Sequence, residues 1–474
     1  MYKLEFTLKQ HTPLIHFQHY QEGATLRATE VKPKLDRFII EKLTGKSGKE
    51  AFEVFKANAE WRKWLVGKGE HPALDYKMRI ISKSENRYFL PLAMTPNTRK
   101  YNNRENKLKE HIKNSINIDV ELLTSTAFFA NQDKFSFRFN EVDTIKTKCS
   151  NMQFAVLQKS LDLVILSRLE DNFKNQIEKL IKDFFALYNF GMRSSKGFGS
   201  FSINDKNNQN KNSFEESLKS TFDVVFKYNN NIINNFKSAL QKANELNNLI
   251  RSGKNHGGYS KSLLFLYFVN QSTPIRWEKR KIKQNINSNK LKYKKSDNNL
   301  IDIDLKYTHK PIYDDSNNNW IDIPNKFEYR YIRSLLGLNE VFEFQTNEII
   351  DTIGGGPKKI KHTYIVEVKS NNVIQRITSP LIWKYNGTNL YLCANDINPD
   401  ILNSSNNSVT YNFDLKLKKN NKLIDRPFAN RDDFLKNIAA PNSFNIGKFL
   451  EYCFIKCNKT EKISGFTQIK NNLI

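Results

Sequence analysis

The feature that most constrains this chain is a basic, glycine-rich segment, Gly191-Met192-Arg193-Ser194-Ser195-Lys196-Gly197-Phe198-Gly199-Ser200-Phe201. A helical pattern precedes it, because apolar residues recur at three- and four-residue spacing over 171–190, and Gly191 stands where a helix C-cap is expected. Alternating residues over 198–203 predict a short strand after it. The order is therefore helix, basic glycine loop, strand.

This order argues against a nucleotide cofactor. A dinucleotide fingerprint needs G-x-G-x-x-G between a strand and the helix that follows it, whereas here the elements are reversed and Ser202 replaces the third glycine. Two interpretations of the loop remain open. Glycines let another backbone approach closely, and Arg193, Lys196 and the two hydroxyl groups between them can hold phosphates, which favours a nucleic-acid strand. The alternative is a tight helix-to-strand turn with incidental charge.

The composition is both basic and aromatic. Among 474 residues, 75 Lys and Arg stand against 49 Asp and Glu, which gives a net charge of +26, and there are 34 Phe, 19 Tyr and 5 Trp. This combination is typical of proteins that bind single-stranded nucleic acid, because phosphates need cations and exposed bases stack on rings. The abundant Asn and Ile are also typical of an AT-rich genome, whose codons favour Lys, so the charge is support and not proof.

Cysteine content and hydropathy predict a cytoplasmic protein. The four cysteines are too few for a disulfide framework in a chain of this length, and they indicate reduced thiols rather than a zinc site. No apolar run reaches the length of a membrane span, and residues 1–8 lead into an alternating strand instead of a signal peptide. No membrane association, metal site or cofactor is predicted.

The first 203 residues are predicted to form one domain. Leu4, Phe6 and Leu8 alternate with polar residues in a half-buried strand, and Thr29 is placed to cap the helix that follows. Further strands are predicted at 76–82, 87–92, 118–130 and 134–140. With the helix, glycine loop and strand described above, this order is close to the ferredoxin-like arrangement of RNA-recognition modules.

Three cations lie near the start of that first helix, namely Lys32, Lys34 and Arg37. Cations there oppose the helix dipole, so the arrangement favours an anion bound alongside. A solvated charged face is the alternative. Asp36, which lies among these cations, is interpreted as neutralising them.

A second domain is predicted after the Asn-, Lys- and Ser-rich segment 204–220, which is interpreted as a linker. The elements predicted in residues 221–474 are strands at 221–227, 263–269, 363–369 and 380–394, helices at 232–250, 327–338 and near 445–455, and a basic glycine loop at 354–359. The predicted fold class is α+β, with two ferredoxin-like (RRM-like) domains, antiparallel sheets and glycine-rich loops, and with insertions in the second domain.

A histidine cluster follows the first strand. His11, His16 and His19 can act as acid and base in metal-independent RNA cleavage, in which a 2′-hydroxyl attacks the neighbouring phosphate. The same residues can contact RNA without cleaving it, or be polar loop residues, because no spacing requirement singles them out.

The sequence resembles the RAMP superfamily of CRISPR-associated proteins. The residues that carry the resemblance in the first half are Ser195-Lys196-Gly197-Phe198-Gly199-Ser200-Phe201, Leu4-Glu5-Phe6-Thr7-Leu8, Thr12-Pro13-Leu14 and Leu26 to Phe38. In the second half they are Ile332-Arg333-Ser334-Leu335-Leu336-Gly337-Leu338 and Gln375-Arg376-Ile377-Thr378-Ser379-Pro380-Leu381-Ile382. Two such domains in one chain most resemble the first subunit of the Cmr module of type III-B effector complexes.

This resemblance implies a noncatalytic subunit that holds the 3′ part of the crRNA and the target RNA beside other subunits of the complex. The residues expected to bind RNA are Lys32, Lys34, Arg37, Arg193, Ser194, Ser195, Lys196, Gly197, Phe198, Gly199, Arg333, Lys358, Lys359 and Arg376. One alternative is a crRNA-processing endoribonuclease that uses His16 or His19. Another is a module that binds protein through exposed aromatic residues.

Overall fold

The computed structural model describes most of the chain. The described residues are 1–16, 26–67, 71–82, 85–91, 100–126, 154–204, 213–229, 233–255, 259–271, 275–278, 293–294, 300–301, 312–314, 319–321, 328–337, 341–352, 355–371, 377–403, 408–419, 422–424, 437–456 and 465–473. They form a mixed α+β structure with several antiparallel sheets, as the sequence predicts.

Eight α-helices occur in the described residues: α1 Ala28–Thr44, α2 Gly48–Ala57, α3 Lys100–Ile116, α4 Asp171–Leu187, α5 Ser213–Thr221, α6 Phe236–Arg251, α7 Leu263–Val269 and α8 Ile446–Glu451. The first nine strands are β1 Tyr2–Gln10, β2 Leu14–Ile15, β3 Tyr76–Ser82, β4 Arg87–Pro91, β5 Val120–Leu123, β6 Ala155–Leu157, β7 Leu161–Ser167, β8 Phe201–Ile203 and β9 Val224–Tyr228.

The remaining described strands are β10 Lys254–Asn255, β11 Tyr259–Ser260, β12 Ile275–Trp277, β13 Tyr293–Lys294, β14 Leu300–Ile301, β15 Ile312–Asp314, β16 Asn319–Ile321, β17 Glu328–Arg330, β18 Val341–Thr352, β19 Gly355–Ser370, β20 Leu381–Tyr385, β21 Leu390–Ala394, β22 Thr410–Lys419, β23 Lys422–Ile424, β24 Ile438–Ala439 and β25 Phe466–Asn471. Two compact units result. Unit 1 comprises 1–247, 381–394 and 465–472, and unit 2 comprises 248–380, 395–464 and 473–474.

The first sheet of unit 1 has the strand order β3-β7-β1-β8, and its neighbours are antiparallel. Alternation along β1 buries Leu4 and Leu8 on one face, because successive side chains of a strand point to opposite faces. Helices α1 and α4 supply the other side of this core, with Phe38 and Phe184 packed ring against ring at 5.7 Å between centroids. The predicted first strand is thereby confirmed.

The second sheet of unit 1 has the order β20-β21-β9-β25, again antiparallel throughout. If the four strands of each sheet are ranked along the chain, both sheets read second, third, first, fourth. The two sheets therefore share one topology. The length of chain between their first and second strands differs. In the second sheet 152 residues separate β9 from β20, whereas in the first sheet β1 ends at Gln10 and β3 begins at Tyr76.

Unit 2 contains a five-stranded sheet in which β18, β19, β22 and β23 are neighbours and β24 pairs with β22. Strands β18 and β19 form a long hairpin, paired from Val341 and Glu367 to Thr352 and Gly355. On the described part of β19 and β22, Val366, Val368 and Tyr411 are buried, and the residues between them are more exposed. One face of this sheet therefore meets the core of unit 2.

Several sequence predictions for local structure are wrong. Residues 263–269 form helix α7, because the Ser262 hydroxyl caps it by accepting from the Phe265 N–H at 3.2 Å. An apolar run of this length fits a buried strand and a buried helix equally well. Residues 327–338 contain β17 and a 3-10 helix, Ile332–Leu336, in place of an α-helix. The predicted glycine loop at 354–359 lies mostly in β19.

Helix α1 begins at Ala28, and its N-cap is Arg27, so Thr29 lies in the first turn and does not cap the helix. The predicted linker 204–220 overlaps helix α5, and residues 205–212, like the strand predicted at 134–140, lie outside the described residues. The position of the domain boundary stays a prediction. No helix in the described part of the chain is long and apolar enough to cross a membrane.

His11, one of the three clustered histidines, is buried where β1 ends. The Nε2 atom of His11 lies 2.7 Å from the Ser202 hydroxyl. Gly387 lies against the other side of the ring, so closely that a Cβ added to it would be 3.2 Å from His11 Nδ1. Burial, assisted by the charges of Lys9 and Lys384, lowers the pKa of His11 from 6.5 to about 3. The native imidazole is therefore neutral in near-neutral solution.

We expect stability to fall as the pH falls from about 6.5 to about 3, because in that range the unfolded chain binds a proton at His11 and the native chain does not. His11→Asn should lack this part of the pH dependence. The measurement is the free energy of unfolding in urea at several pH values for both proteins. Parallel pH curves would contradict the neutral, buried assignment.

Candidate nucleic-acid interface

The glycine-rich segment begins one turn after the helix that leads into it. Helix α4 ends at Leu187, and the Tyr188 N–H donates to the Phe184 carbonyl at 3.0 Å, so Gly191 is not the C-cap that the sequence predicts. Gly191 has φ +73°, and a Cβ on it would lie 2.5 Å from the carbonyl oxygen of Ile15. Glycine is required there because strand β2 passes too close for a side chain.

A second close approach occurs at Gly199. Its φ is +66°, and an added Cβ would lie 2.0 Å from the Phe190 carbonyl oxygen. The same two residues are joined by a hydrogen bond from the Phe190 N–H to the Gly199 carbonyl at 2.9 Å. The loop thus folds back on itself, and the glycine is needed for this internal contact.

The loop also contacts the second sheet of unit 1. The Ser200 hydroxyl donates to the Tyr385 carbonyl at 2.9 Å, and the Asn189 amide donates to the Trp383 carbonyl at 2.9 Å. Strand β20 therefore receives donors from both ends of the loop. On α6, the Asn247 side-chain oxygen accepts from Lys196 Nζ at 2.7 Å.

A buried lysine strengthens this contact from the opposite direction. Lys384, on β20, is fully buried, and its Nζ donates to the carbonyls of Phe185 and Tyr188 at 3.1 and 2.8 Å. These carbonyls end helix α4, where backbone acceptors lack partners within the helix. Burial lowers the pKa of Lys384 from 10.5 to about 7.

The glycine-rich segment therefore has a buried part and a partly exposed part. Gly197, Phe198 and Gly199 are buried, and the Phe198 ring packs with Ile15 and Phe89, among others, in the core. The 3-10 turn Ser194–Lys196, preceded by Arg193, is partly exposed. The buried part is the tight helix-to-strand turn that the second interpretation of the sequence predicts. Any phosphate contact has to use the partly exposed turn.

The first cation of helix α1 is used inside the protein. Lys32 Nζ donates to Asp36 Oδ2 and to the Leu74 carbonyl, both at 2.8 Å, and lies 4.2 Å from the centre of the Tyr76 ring. Burial raises the pKa of Asp36, although the charge of Lys32 opposes this effect. The interpretation of Asp36 as a neutralising partner is confirmed.

Glu30 links the same helix to the glycine loop. Its Oε1 accepts from the Gly191 N–H at 2.9 Å and from Lys34 Nζ at 3.1 Å. Lys34 also lies 5.0 Å from the centre of the Phe190 ring. Two of the three cations near the start of α1 are therefore balanced by acids four residues away on the same helix, which accounts for their position without an external anion. Arg37 is exposed.

The predicted contacts in the second half of the chain are scattered. Arg333, on the 3-10 helix, donates through Nε to Glu278 Oε1 at 2.5 Å, and Glu278 is fully buried. Lys358 and Lys359 lie next to each other in β19. Arg376, like His19 in the first half, lies outside the described residues.

Sequence reasoning missed the residues that hold the loop in place. Lys384 stands in the apolar strand Leu381-Ile382-Trp383-Lys384-Tyr385. A lysine flanked by aromatic residues is the signal that could have indicated a buried, hydrogen-bonded amino group. His16 is half-buried, and burial together with the charge of Arg27 lowers its pKa. No group of three metal-ligating side chains occurs among the residues with described positions.

Two family models match the chain. The model of the Cmr1 N-terminal domain matches residues 1–254, and that of the Cmr1 C-terminal domain matches residues 259–473. Among solved structures, the chain is similar to the crystal structure of Cmr1 from Pyrococcus furiosus in its apo form, with 14% sequence identity and a TM-score of 0.29, over 52% of this chain and 71% of that chain. No curated protein matches the chain.

These matches define the chain as a RAMP protein of a type III-B CRISPR ribonucleoprotein, as the sequence resemblance predicts. The assignment depends on the family models and not on the structural likeness, which is distant. The chain belongs to the Cmr1 family. It is therefore a subunit of a Cmr-type effector complex, which associates with other Cmr subunits and with crRNA.

We expect Gly199→Ala to destabilise the protein by at least about 2 kcal/mol, because the new Cβ collides with the Phe190 carbonyl. Gly45→Ala is the matched control, since Gly45 has φ +65° and nothing within 4 Å of an added Cβ. The control should cost about 1 kcal/mol from backbone strain alone. Equal losses in urea unfolding would show that close approach is not what requires glycine at 199.

Lys384→Met should leave the end of α4 without its donor and lower stability. In the wild type, the unfolded chain binds a proton at Lys384 between pH 7 and 10.5 and the native chain does not, so stability rises with pH in that window. The advantage of the wild type over the variant should therefore grow from pH 7 to pH 10. Urea unfolding at both pH values measures it, and an advantage that shrinks would contradict the assignment.

Proposed function

We propose that the chain is a noncatalytic, RNA-binding subunit that contacts the 3′ part of the crRNA and the target RNA in the cytoplasm. The observation that carries this proposal is the partly exposed basic turn Arg193–Lys196. Hydrogen bonds from the glycine-rich segment to the second sheet hold this turn in place, and just before it Glu30 of α1 accepts from the Gly191 N–H. A positioned cation with adjacent hydroxyl groups suits a phosphate. Membership of the Cmr1 family, whose members are generally non-catalytic, supports the same role.

The fold proposed for this role is a pair of ferredoxin-like domains with glycine-rich loops. Its support is the strand order shared by two sheets of unit 1, β3-β7-β1-β8 and β20-β21-β9-β25, in which all neighbouring strands are antiparallel. In the first sheet, α1 connects the first and second strands and α4 connects the third and fourth. The exposed positions on the outer face of β1 and β3 are Lys3, Glu5, Lys9, Lys77, Arg79 and Ile81, so no aromatic stacking platform is available there.

The proposed RNA contacts differ in their roles. Ser194, Ser195, Lys34 and Arg37 accompany the basic turn as contacts at the surface. In the buried half of the loop, Gly197, Phe198 and Gly199 support the turn from within, and Lys32 supports α1 through Asp36. Arg333, Lys358, Lys359 and Arg376 are proposed as contacts of the second half.

Changing Arg193 and Lys196 together to Ala should weaken binding of a labelled crRNA roughly tenfold. Because two phosphate contacts are lost, the negative slope of log affinity against log salt should become shallower by about 1.4. The control is Arg62→Ala with Lys63→Ala, which removes the same charges from another exposed 3-10 turn, Trp61–Trp64. Fluorescence anisotropy at several salt concentrations measures both. An equal loss of crRNA affinity in both variants would show that the effect comes from net charge and not from the position of this turn.

The same mixture tests the enzymatic alternative. Intact crRNA after incubation with the full chain, without added metal, agrees with the noncatalytic role. Cleavage at one position that is lost in His16→Ala or His19→Ala would instead make the chain a processing endoribonuclease. A chain that retains no RNA, and binds only other subunits, would favour the protein-binding module.

A further inference from the structure

Arg193, which opens the partly exposed turn, has a backbone conformation that is unfavourable for arginine. Its φ is +58° and its ψ is 22°, so it lies in the left-handed helical region. In this region the Cβ of an L-residue comes too close to the backbone, whereas glycine adopts the conformation freely and asparagine tolerates it. The protein therefore loses stability by having an arginine, and not a glycine, at this position.

The neighbouring positions show which residue this backbone favours. Four residues of the glycine-rich segment have positive φ, and the three besides Arg193 are glycines, namely Gly191, Gly197 and Gly199. Outside the segment, the described non-glycine residues with positive φ are two asparagines and Ser125. Arg193 is the charged one among these residues, and its side chain is the longest.

Hydrogen bonds on both sides hold Arg193 in this conformation. Before it, the Met192 N–H donates to the Ile15 carbonyl of β2 at 2.9 Å. After it, the buried side-chain amide of Asn189 donates to the Ser194 carbonyl at 2.7 Å and to a carbonyl of β20 at 2.9 Å. A strained conformation persists only where the surrounding structure fixes it, and here two strands and the end of α4 do so.

A strained residue that is firmly held in a surface turn indicates a function for its side chain. Stability does not account for Arg193, because glycine would be more stable on the same backbone. The guanidinium group is always charged and presents its N–H donors in a planar fork that matches two oxygens of a phosphate. A fixed backbone directs this fork to one place, and less conformational entropy is then lost when a ligand binds.

We propose that Arg193 is the preorganised phosphate anchor of the turn, and that Asn189 is a positioning residue that acts through it. This inference rests on the proposed RNA-binding function and adds to it the residue whose strain is retained for binding. Asn189 is buried and fixes the Ser194 carbonyl, so it sets the direction of the Arg193 side chain without touching RNA.

The first test separates stability from binding. Arg193→Gly should raise the urea midpoint of unfolding because it relieves the strain. The same variant should bind a labelled crRNA about fivefold more weakly, with a salt slope shallower by about 0.7 for one lost phosphate contact. Arg193→Lys keeps both the charge and the strained backbone, so its salt slope and urea midpoint should match those of the wild type.

Two variants are controls for this test. Ser125→Gly changes another residue with positive φ, +55°, and removes no charge, so affinity for crRNA should stay the same. Arg62→Ala removes one exposed cation from a different 3-10 turn, so it should weaken binding less than Arg193→Gly does. Fluorescence anisotropy at several salt concentrations measures the affinities.

The second test addresses the positioning role. Asn189→Ala removes no charge, yet it should weaken crRNA binding and make the salt slope shallower, because the guanidinium is no longer held at the phosphate. In a chain that already carries Arg193→Gly, the same change should have no further effect on crRNA affinity. Additive losses would show that Asn189 does not act through Arg193.

Arg193→Gly that lowers the urea midpoint, or that binds crRNA as tightly as the wild type, would overturn the inference and leave RNA binding by other residues of the chain intact. Wild-type chain that binds no crRNA would overturn the proposed function itself. Because Arg193→Gly is expected to be more stable than the wild type, its result decides the inference even if Asn189→Ala fails to unfold cooperatively.

Discussion

The structure of unit 1 depends on the close approach of backbones at the glycine-rich loop. Gly191 lies against β2, Gly199 lies against Phe190, and the side chains of Asn189 and Ser200 bond to carbonyls of β20. The two glycine contacts need a backbone without a side chain. The other two need a short polar side chain that reaches the neighbouring strand. The loop is therefore a joint between two sheets and, at its exposed turn, a surface. Most of the contacts that join the sheets are made outside this turn, although Lys196 of the turn itself donates to Asn247 on α6.

Local patterns in the sequence predicted local structure well and contacts poorly. The strand from Tyr2, the strand at 76–82 and the helix from Asp171 follow from alternation or three-and-four spacing, and the structure confirms them. Helix α3 was missed because its sequence is very polar; among its residues with described side chains, Leu108 and Ile112 are the buried ones. The apolar run at 263–269 gave the wrong element because both faces of α7 are buried, and periodicity then carries no information.

The candidate site shows the same division. The sequence identified the basic glycine segment and the cations of α1, and family membership is confirmed by models that match 1–254 and 259–473. What it did not indicate was that Lys34 pairs with Glu30 of the same helix, or that Lys384 reaches α4 from a strand nearly 200 residues later. Such contacts depend on which elements become neighbours, and no local pattern encodes that.

The late position of β20, β21 and β25 in the chain has a consequence for folding during synthesis. The first sheet is complete once residue 203 has been made, but β9 waits for its partners until residues 381–394 and 466–471 emerge. Until then, the side of the loop that β20 will cover stays in water, together with the apolar residues around it. The nascent chain therefore exposes this apolar surface while residues 204–385 are being made, so chaperone binding or early assembly with another subunit would protect it from aggregation.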